Sequence, residues 1–400
     1  MSRFLVGRYS SDTDGPSSGI ALLRAGAGDA VLAGGDLSLT DAAATGGSPS
    51  WVAPHPSKDV VYAALESDGT VQAFRRIGEE RFARLGAPVD AGESVCHVGV
   101  APDGGSLVAS CWGDGRVVRM SLDADGTPRR PVIAAAAVDP YGPATDPSES
   151  ADDDPSASQD DAAGALAAAT QALRHAAGAE YAHLVPDFAD PHPDRELRLD
   201  EARHSRAHQA RFLPGGLIVT TDMGLDLVRF WRASDSGLRP VQQVVLPLGS
   251  GPRHMRWHPS GHLLVITELS REIFALAPDV SGAWRVVAGA PLASGVGTSD
   301  AAAELALSRD GEFVYAGLRG TNTIAVLRVR GNGAEFQQAA LVDAGVDWPR
   351  HHVVVRDSLL VAGQLSDEVV TFSLDERTGI PGTVRRRIAT PSPTCLMPLR

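Results

Sequence analysis

Lysine is almost absent from this sequence of 400 residues: Lys58 is the only one, so nearly all of the positive charge comes from arginine. The 36 basic residues are outnumbered by 49 acidic ones, which gives a formal net charge of −13. Proteins that bind nucleic acid without regard to its sequence need a basic surface. The composition therefore argues against a nucleic-acid partner.

Cysteine and long apolar segments are also scarce. The three cysteines, Cys96, Cys111 and Cys395, fit neither a zinc-binding spacing nor a disulfide framework. No apolar run is long enough to span a bilayer, and the N-terminus reaches a polar turn after Gly7 instead of continuing as the apolar part of a secretory signal. These absences predict a cytoplasmic protein without a membrane partner.

The motifs of several common enzyme classes are missing as well. No Gly-x-Ser-x-Gly segment lies in a strand-to-helix context, and the Gly113-Asp114-Gly115 segment is interpreted as a turn between strands, not as a dinucleotide-binding loop. No group of residues has a convincing metal-ligand pattern. We therefore expect neither a metal nor another cofactor, although carboxylates gathered at one pore could hold a divalent ion.

What the sequence does contain is a repeat of roughly 45 residues. Each unit has an apolar strand, a turn, a second apolar strand and a third strand. The turns lie at Pro56, Pro102, Pro214, Pro259, Arg309 and Arg356. Within the strands apolar residues alternate with a period of two, which excludes a solenoid of helix pairs. Three or four short strands in each unit are typical of a propeller blade.

The two ends of the chain supply a further blade. Residues 4–7 and 19–23 read as strands at the N-terminus, and residues 394–397 read as a strand at the C-terminus. Pairing them in one sheet would close the ring and fix both termini. We predict an all-β, seven-bladed β-propeller that forms a single domain over residues 1–400. Because a closed propeller exposes few strand edges, we also expect a monomer.

One interval between turns is too long for a blade. Residues 130–203 form an acidic insert rich in alanine and proline, in which 146–161 are predicted to be disordered and 162–179 to be helical. Because the insert is so acidic, the net charge of −13 does not describe the propeller itself. The insert is either a dispensable surface loop or a lid over the central channel.

The innermost strand of every blade lines the channel, so the repeats can be aligned on their turns and compared. Six residues before the turn stand Ser50, Cys96, His208, Arg253, Ala303 and Arg350. One position later stand Trp51, His97, Gln209, His254, Glu304 and His351. The next strand of each blade ends at Glu66, Trp112, Asp222, Glu268, Arg319 and Gln364. Arginine, histidine and carboxylates around one pore mouth suit an anionic small molecule.

Structural roles compete with this interpretation. Polar side chains in propellers often form hydrogen bonds between blades, and for a single residue such as His97 or Glu304 that role is expected. Arg253, Glu268 and Arg319 differ, because a structural repeat predicts similar residues at equivalent positions and these three depart from it. We therefore expect them to be functional.

These residues resemble those of the seven-bladed lactonase propellers, a family that includes bacterial 6-phosphogluconolactonases of propeller type and fungal carboxymuconate cyclases. The likeness covers nearly the whole chain outside the insert. Its most specific element is the Gly251-Pro252-Arg253-His254 segment followed by Glu268. Other matching segments are Ala207-His208-Gln209, Thr221-Asp222-Met223-Gly224, Gly317-Leu318-Arg319-Gly320 and Trp348-Pro349-Arg350-His351.

The resemblance implies a lactonase with His208, Arg253, Glu268 and Arg319 as its catalytic residues. Lactone hydrolysis needs an activated water, a site for the oxyanion and a proton for the leaving alkoxide. Glu268 is the candidate base and His208 either the acid or a second base, while the arginines would bind a carboxylate or phosphate. Further candidates for substrate binding are His254, Arg350, His351, Asp222 and Arg206.

Two departures from the family pattern concern the rim of the pocket. Arg206-Ala207-His208 stands where the family often has His-Ala-His, and Cys111-Trp112-Gly113 stands where it has Asn-Tyr-Gly. They bear on the choice of substrate more than on the class of reaction.

Three functions are compatible with the sequence. The first is hydrolysis of an anionic sugar lactone, most of all 6-phosphogluconolactone. The second is a lactonising or delactonising cycloisomerase of the carboxymuconate type, which would use the same residues. The third is a propeller that binds a protein or a sugar without catalysis. Retention of the four catalytic residue types argues against the third, because a scaffold need not keep this mixed set.

Overall fold

A computed structural model describes residues 2–26, 34–142, 203–294, 297 and 299–399. The chain divides into two units. The first comprises Met1–Tyr141 and His204–Arg400, and the second, Gly142–Arg203, lies almost wholly outside the described residues. The disordered stretch and the helix predicted for the insert fall in that second unit and also lie outside the described residues.

The described residues form 28 strands, which make seven antiparallel sheets of four strands each. The N-terminal strands are β1 (Ser2–Arg8), β2 (Gly19–Ala25) and β3 (Leu37–Ala44). Blade 2 contains β4 (Pro49–Pro54), β5 (Val60–Leu65), β6 (Thr70–Arg76) and β7 (Phe82–Asp90). Blade 3 contains β8 (Val95–Val100), β9 (Ser106–Cys111), β10 (Val117–Leu122) and β11 (Pro128–Ile133).

In blades 4 to 7 the strands follow chain order from the innermost strand to the outermost. Blade 4 contains β12 (Ala207–Leu213), β13 (Leu217–Asp222), β14 (Leu227–Ser234) and β15 (Gly237–Val245). Blade 5 contains β16 (Pro252–Trp257), β17 (Leu263–Thr267), β18 (Glu272–Pro278) and β19 (Trp284–Pro291). Blade 6 contains β20 (Ala301–Leu307), β21 (Phe313–Arg319), β22 (Thr323–Arg330) and β23 (Glu335–Asp343). Blade 7 contains β24 (Pro349–Val355), β25 (Ser358–Gly363), β26 (Glu368–Leu374) and β27 (Pro381–Ala389).

Blade 1 is built from both ends of the chain. Its innermost strand is β28 (Pro393–Leu399), and the order of the sheet is β28-β1-β2-β3. Leu5 of β1 pairs with Met397 of β28, which closes the ring. The predicted seven-bladed propeller with one shared blade is confirmed. The outer strand β3 escaped prediction because its Leu37–Ala44 segment is half exposed and has no continuous apolar run.

Neighbouring blades are tied together by buried polar rings. Tyr62 donates a hydrogen bond to the carbonyl of Gly126 at 2.8 Å, and Tyr315 donates one to Gly379 at 2.9 Å. In each pair the tyrosine lies in one blade and the carbonyl in a turn of the next. The ring of His258 binds the carbonyl of Gly311 in the same manner at 2.9 Å. These contacts satisfy buried carbonyls and fix the spacing of the blades.

The start of the insert differs from the prediction. The outermost strand of blade 3, β11, extends to Ile133, so residues 130–133 belong to the propeller. The segment begins Pro-Arg-Arg-Pro, and a strand can contain prolines where it lies at the edge of a sheet.

The three cysteines are free and buried. Of the helices in the part of the chain that the structure describes, none has the length and apolarity needed to cross a membrane.

Candidate active site

All six inner strands from β4 to β24 carry an irregularity close to their first residue. In each of them the pairing with the next strand skips one or two positions. The skipped positions include Ser50, Cys96, His208, Arg253, Ala303 and Arg350. A β-bulge redirects the side chain of the extra residue and is common beside active sites. The aligned residues of the sequence are therefore the bulged residues of the inner strands.

Most of these bulged residues meet on the axis of the propeller. They border a cavity of about 10 Å³ lined by Ser50, Trp51, Cys96, His208, Arg253, His254, Arg350, His351 and Thr394. That volume holds roughly one water molecule. The predicted convergence of His208, Arg253, His254, Arg350 and His351 at one place is therefore what the structure shows.

Glu268 lies beside this cavity and joins two arginines. It follows directly after β17, and its Oε2 atom lies 2.7 Å from Nε of Arg253 and 2.7 Å from a terminal guanidinium nitrogen of Arg319. Both arginines are buried, whereas the Glu268 side chain is 18% exposed. Its second oxygen, Oε1, forms no hydrogen bond with any described residue. One oxygen therefore holds the arginines and the other is open to a ligand.

Backbone carbonyls of β20 orient the two guanidinium groups. Arg253 donates a hydrogen bond to the carbonyl of Ala303 at 2.5 Å, and Arg319 donates to Ala301 and Ala302 at 3.3 Å each. Burial lowers the pKa of both arginines, and the charge of Arg253 helps to bring that of Arg319 to about 10. Both side chains still carry their charge at neutral pH.

His208 reaches the cavity as a neutral ring. Its Nδ1 atom is buried and has no hydrogen-bond partner among the described residues, and its ring centroid lies 5.0 Å from that of His254. Burial lowers the pKa of His208 well below the usual value, and the nearby charge of Arg253 lowers it further. A lowered pKa makes this ring a weak base towards water, and the neutral ring is also a poor donor of a proton to an alkoxide. The surroundings of His208 therefore suit a neutral hydrogen-bonding group more than the acid or the base role expected of it.

His254 and His351 bind a buried carboxylate. Oε2 of Glu304 lies 2.8 Å from Nδ1 of His254 and 2.9 Å from Nε2 of His351, and its Oε1 atom lies 2.8 Å from Arg256. Burial alone would raise the pKa of Glu304, but these partners outweigh it and hold the pKa well below its usual value. Nδ1 of His351 accepts the backbone N–H of Leu396, so both ring nitrogens of His351 are engaged within the protein.

The prediction that His351 binds substrate is therefore not supported by its hydrogen bonds, which position the inner strands. Burial lowers the pKa of His254 to about 3, so this ring is neutral as well. His254 keeps one ring nitrogen that forms no hydrogen bond with the described residues, and it borders the axial cavity.

Asp222 and Arg206, also predicted to bind substrate, have different surroundings. Asp222 is buried and accepts hydrogen bonds from the Ser205 hydroxyl and from the backbone N–H groups of Arg206 and Gly224. Those hydrogen bonds engage both oxygens of the Asp222 carboxylate within the turn after β13, so neither oxygen is directed at a ligand. The Arg206 guanidinium instead stacks on the exposed ring of Trp112 at 4.1 Å, with no carboxylate within ion-pair distance in the described ranges.

No group of three or more His, Cys, Asp or Glu side chains in the described part of the chain is arranged to hold a metal ion. The model of the family described as "Lactonase, 7-bladed beta-propeller" matches residues 3–398. The chain belongs to this lactonase family.

Relatives of the lactonase-family chain agree with that assignment. It is 24% identical over 373 residues to the 6-phosphogluconolactonase of Bacillus subtilis, and the match covers 90% of each chain. An uncharacterized protein of Staphylococcus saprophyticus is 26% identical over 226 residues, which is 55% of this chain and 65% of that protein.

Solved structures show the same fold. A protein from Lactobacillus plantarum superposes with a TM-score of 0.75 at 21% identity, over 100% of both chains. The periplasmic gluconolactonase of Pseudomonas aeruginosa superposes with a TM-score of 0.73 at 20% identity, over 100% of this chain and 99% of that one.

The lactonase propeller also has a polar cluster that the sequence did not reveal as a unit. Arg350 donates hydrogen bonds to the Tyr9 hydroxyl at 2.7 Å and to Oε1 of Gln364 at 3.0 Å. The Tyr9 hydroxyl in turn donates to the carboxylate of Glu66 at 3.1 Å. Burial would lower the pKa of Arg350, but Tyr9 and Glu66 outweigh it and raise the pKa. Tyr9 follows β1 in the closing blade, for which no repeat was aligned.

Proposed function

We propose that this protein hydrolyses an anionic sugar lactone, with 6-phosphogluconolactone as the leading substrate. The observation that carries the proposal is the contact of Glu268 with Arg253 and Arg319 beside a cavity bordered by His208. The Bacillus subtilis relative, which is named for this activity, supports the same substrate.

The balance of charge at the mouth supports an anionic substrate. Four arginines, Arg206, Arg253, Arg319 and Arg350, are contributed by blades 4 to 7 or by the residues that lead into them, and three carboxylates, Glu66, Asp222 and Glu268, stand at equivalent strand ends. The four positive charges less the three negative ones leave an excess of one. A phosphate monoester carries nearly two negative charges at neutral pH, with a second pKa of about 6. The positive excess therefore supports an anionic lactone over a neutral one.

The open oxygen of Glu268 is suited to activating water. In the proposed reaction the water oxygen attacks the lactone carbonyl carbon while Oε1 of Glu268 takes the proton of the water. N–H groups of Arg253 and Arg319 stabilise the negative charge that develops on the carbonyl oxygen. The bond between the carbonyl carbon and the ring oxygen then breaks, and the proton held by Glu268 passes to the ring oxygen. One water is consumed and the open-chain acid is formed.

General-base catalysis contributes about 10²–10⁴-fold to such a rate, and one oxyanion donor contributes about 10²–10³-fold. His208, being neutral, has the smaller part in this scheme. It borders the same cavity and can accept a hydrogen bond from the water or from a substrate hydroxyl.

The test is pH-stat hydrolysis of 6-phosphogluconolactone and of unphosphorylated gluconolactone, each corrected for spontaneous ring opening. We expect fast turnover of the phosphorylated lactone and a loss of at least 100-fold in the Glu268→Gln protein. The matched control is Glu312→Gln, because Glu312 pairs with Arg328 at an exposed position in blade 6. Turnover of a muconolactone in place of the sugar lactone would favour the cycloisomerase.

A further inference from the structure

The cluster formed by Tyr9, Glu66, Arg350 and Gln364 takes no part in the reaction scheme above. Its members come from blades 1, 2 and 7 and are half-buried, so their polar atoms can reach a ligand at the pore mouth. The cluster is ordered by its own hydrogen bonds, from Gln364 through Arg350 and Tyr9 to Glu66.

The polar atoms that the cluster leaves available to a ligand include both a hydrogen-bond donor and a hydrogen-bond acceptor. Arg350 has no acceptor atom and points one N–H at the oxygen of Gln364, which fixes the Gln364 amide with its NH₂ group outward. That NH₂ group forms no hydrogen bond with described residues, and each oxygen of Glu66 receives only the shared Tyr9 hydroxyl. A donor and an acceptor therefore stand on either side of Tyr9. Neighbouring hydroxyl groups of a polyol both donate and accept, and they match such a pair.

The surface next to Glu66 disfavours an acidic ligand. Glu66 borders a groove of about 500 Å³ between blades 2 and 3, and the groove is lined by five carboxylates and a single arginine. The carboxylates are Glu66, Asp68, Asp90, Glu93 and Asp114. A carboxylate or phosphate placed here would meet like charges, whereas neutral hydroxyl groups would not. This side of the mouth therefore suits the neutral part of a substrate.

The order of the blades also places the neutral, hydroxyl-bearing part of a lactone on the cluster's side of the mouth. Glu268 and Arg319 stand at blades 5 and 6, Arg206 leads into blade 4, and the cluster spans blades 7, 1 and 2 on the other side of the ring. In a six-membered sugar lactone, the carbonyl carbon and the carbon that bears the exocyclic CH₂ group flank the ring oxygen. The carbons with free hydroxyls lie across the ring. A lactone with its carbonyl at Glu268 turns those hydroxyls to the cluster.

We propose that Glu66, Arg350 and Gln364, positioned by Tyr9, form a subsite that recognises adjacent hydroxyl groups and selects polyhydroxylated lactones over unsaturated dicarboxylic ones. As a statement about turnover this inference rests on the proposed function. As a statement about binding it can be tested without catalysis.

The experiment measures binding and selectivity on the intact protein. Calorimetry gives the Kd of D-gluconate and of hexanoate, which has the same carbon chain without hydroxyls. Rates give the ratio of kcat/KM for gluconolactone to that for δ-valerolactone. The variants are Glu66→Gln and Gln364→Leu, which keep the size of the side chain, and Tyr9→Phe, which removes only the bridging hydroxyl. Tyr62→Phe is the control, because its hydroxyl binds Gly126 within the fold.

We expect wild-type protein to bind gluconate at least tenfold more tightly than hexanoate, since a site built to bond hydroxyls rejects analogues that lack them. Glu66→Gln and Gln364→Leu should each weaken gluconate binding tenfold or more, and each should lower the ratio of the two kcat/KM values by a similar factor. Tyr62→Phe should leave the gluconate Kd and the ratio at their wild-type values. Equal affinity of the wild type for the two acids, or no gluconate binding at all, would overturn the subsite. Retained gluconate binding without lactone hydrolysis would overturn the proposed function alone.

Discussion

Nε of Arg253 lies 2.7 Å from Oε2 of Glu268, although Arg253 stands on β16 and Glu268 follows the end of β17 in blade 5. The bulge in β16 makes this contact possible, because it leaves Arg253 out of the ladder with β17. Arg319 reaches the same oxygen from blade 6. The three side chains therefore form one unit in which two buried cations share a single anion, and a positive charge remains for the substrate.

Arg319 provides the first prediction. Replacing it by Gln removes a cation that is buried and aligned by two backbone carbonyls, so the developing oxyanion loses a fixed donor. We expect Arg319→Gln to lower kcat for the lactone by about 10²–10³-fold. Initial rates by pH-stat are the measurement. Arg328→Gln is the control, because Arg328 is exposed in the same blade. A change in KM with kcat unaltered would contradict the assignment.

Arg206 provides the second prediction. Its guanidinium is stacked on Trp112 at the mouth, and in the proposed function it would bind the phosphate of the lactone. We expect Arg206→Gln to lower kcat/KM for 6-phosphogluconolactone at least tenfold more than for gluconolactone. Arg206→Lys should recover part of the preference because it restores the charge. Equal losses on the two lactones would show that Arg206 does not bind the phosphate.

The repeat made the propeller predictable, because blade units of roughly 45 residues show their apolar strands and turns directly in the sequence. The aligned inner-strand residues also include most of those that line the axial cavity. Their meeting depends on bulges, which sequence does not reveal because the skipped residues carry no common residue type: Ser50, Arg253 and Ala303 occupy equivalent places.

What the alignment could not give was the partner of each side chain. Asp222 and Glu268 occupy equivalent strand ends, yet Asp222 is taken up by backbone N–H groups and Glu268 by arginines. Tyr9 lies in the blade that closes the ring, where the N-terminal segment supplies the second strand instead of the first, so the register of the other blades did not apply. The expected monomer and cytoplasmic location stay predictions.

The buried histidines provide the third prediction, a loss of stability in mild acid. Burial lowers the pKa of His352 from 6.5 to about 4, while its Nε2 donates to the carbonyl of Tyr315 at 3.0 Å. Between those two values the unfolded chain binds the proton and the folded protein does not, so stability is complete above pH 6.5 and falls as the pH drops towards 4. The buried rings of His97, His208 and His254 are shifted in the same direction.

Urea unfolding of the wild type and of His352→Gln at pH 7 and pH 5 measures this effect. The amide of Gln can still donate to Tyr315, but it does not titrate. Between pH 7 and pH 5 we expect the free energy of unfolding of the wild type to fall by about 2 kcal/mol more than that of the variant. This is the value that the linkage relation gives for that pKa shift. An identical loss in both proteins would mean that His352 does not titrate in this range.

Glu304 provides the last prediction, because it is a fully buried carboxylate that joins three inner segments. Its oxygens accept from His254, His351 and Arg256, and Oε1 also accepts the backbone N–H of Leu305 at 2.8 Å. Glu304→Gln keeps the volume but removes the charge that balances Arg256 and turns an NH₂ group towards donors. Removing one partner of a buried ion pair costs about 3–5 kcal/mol, and we expect a value near 3 kcal/mol because Arg256 is partly exposed.

Urea denaturation at pH 7 gives the free energy of unfolding of Glu304→Gln, of Arg256→Gln and of the double variant. The sum of the two single losses in the free energy of unfolding should exceed the loss in the double variant. Once the carboxylate is gone, the second substitution leaves no additional charge unpaired. Glu312→Gln on the surface should change stability by less than about 1 kcal/mol. Strict additivity of the Glu304 and Arg256 substitutions would show that the two side chains are not coupled.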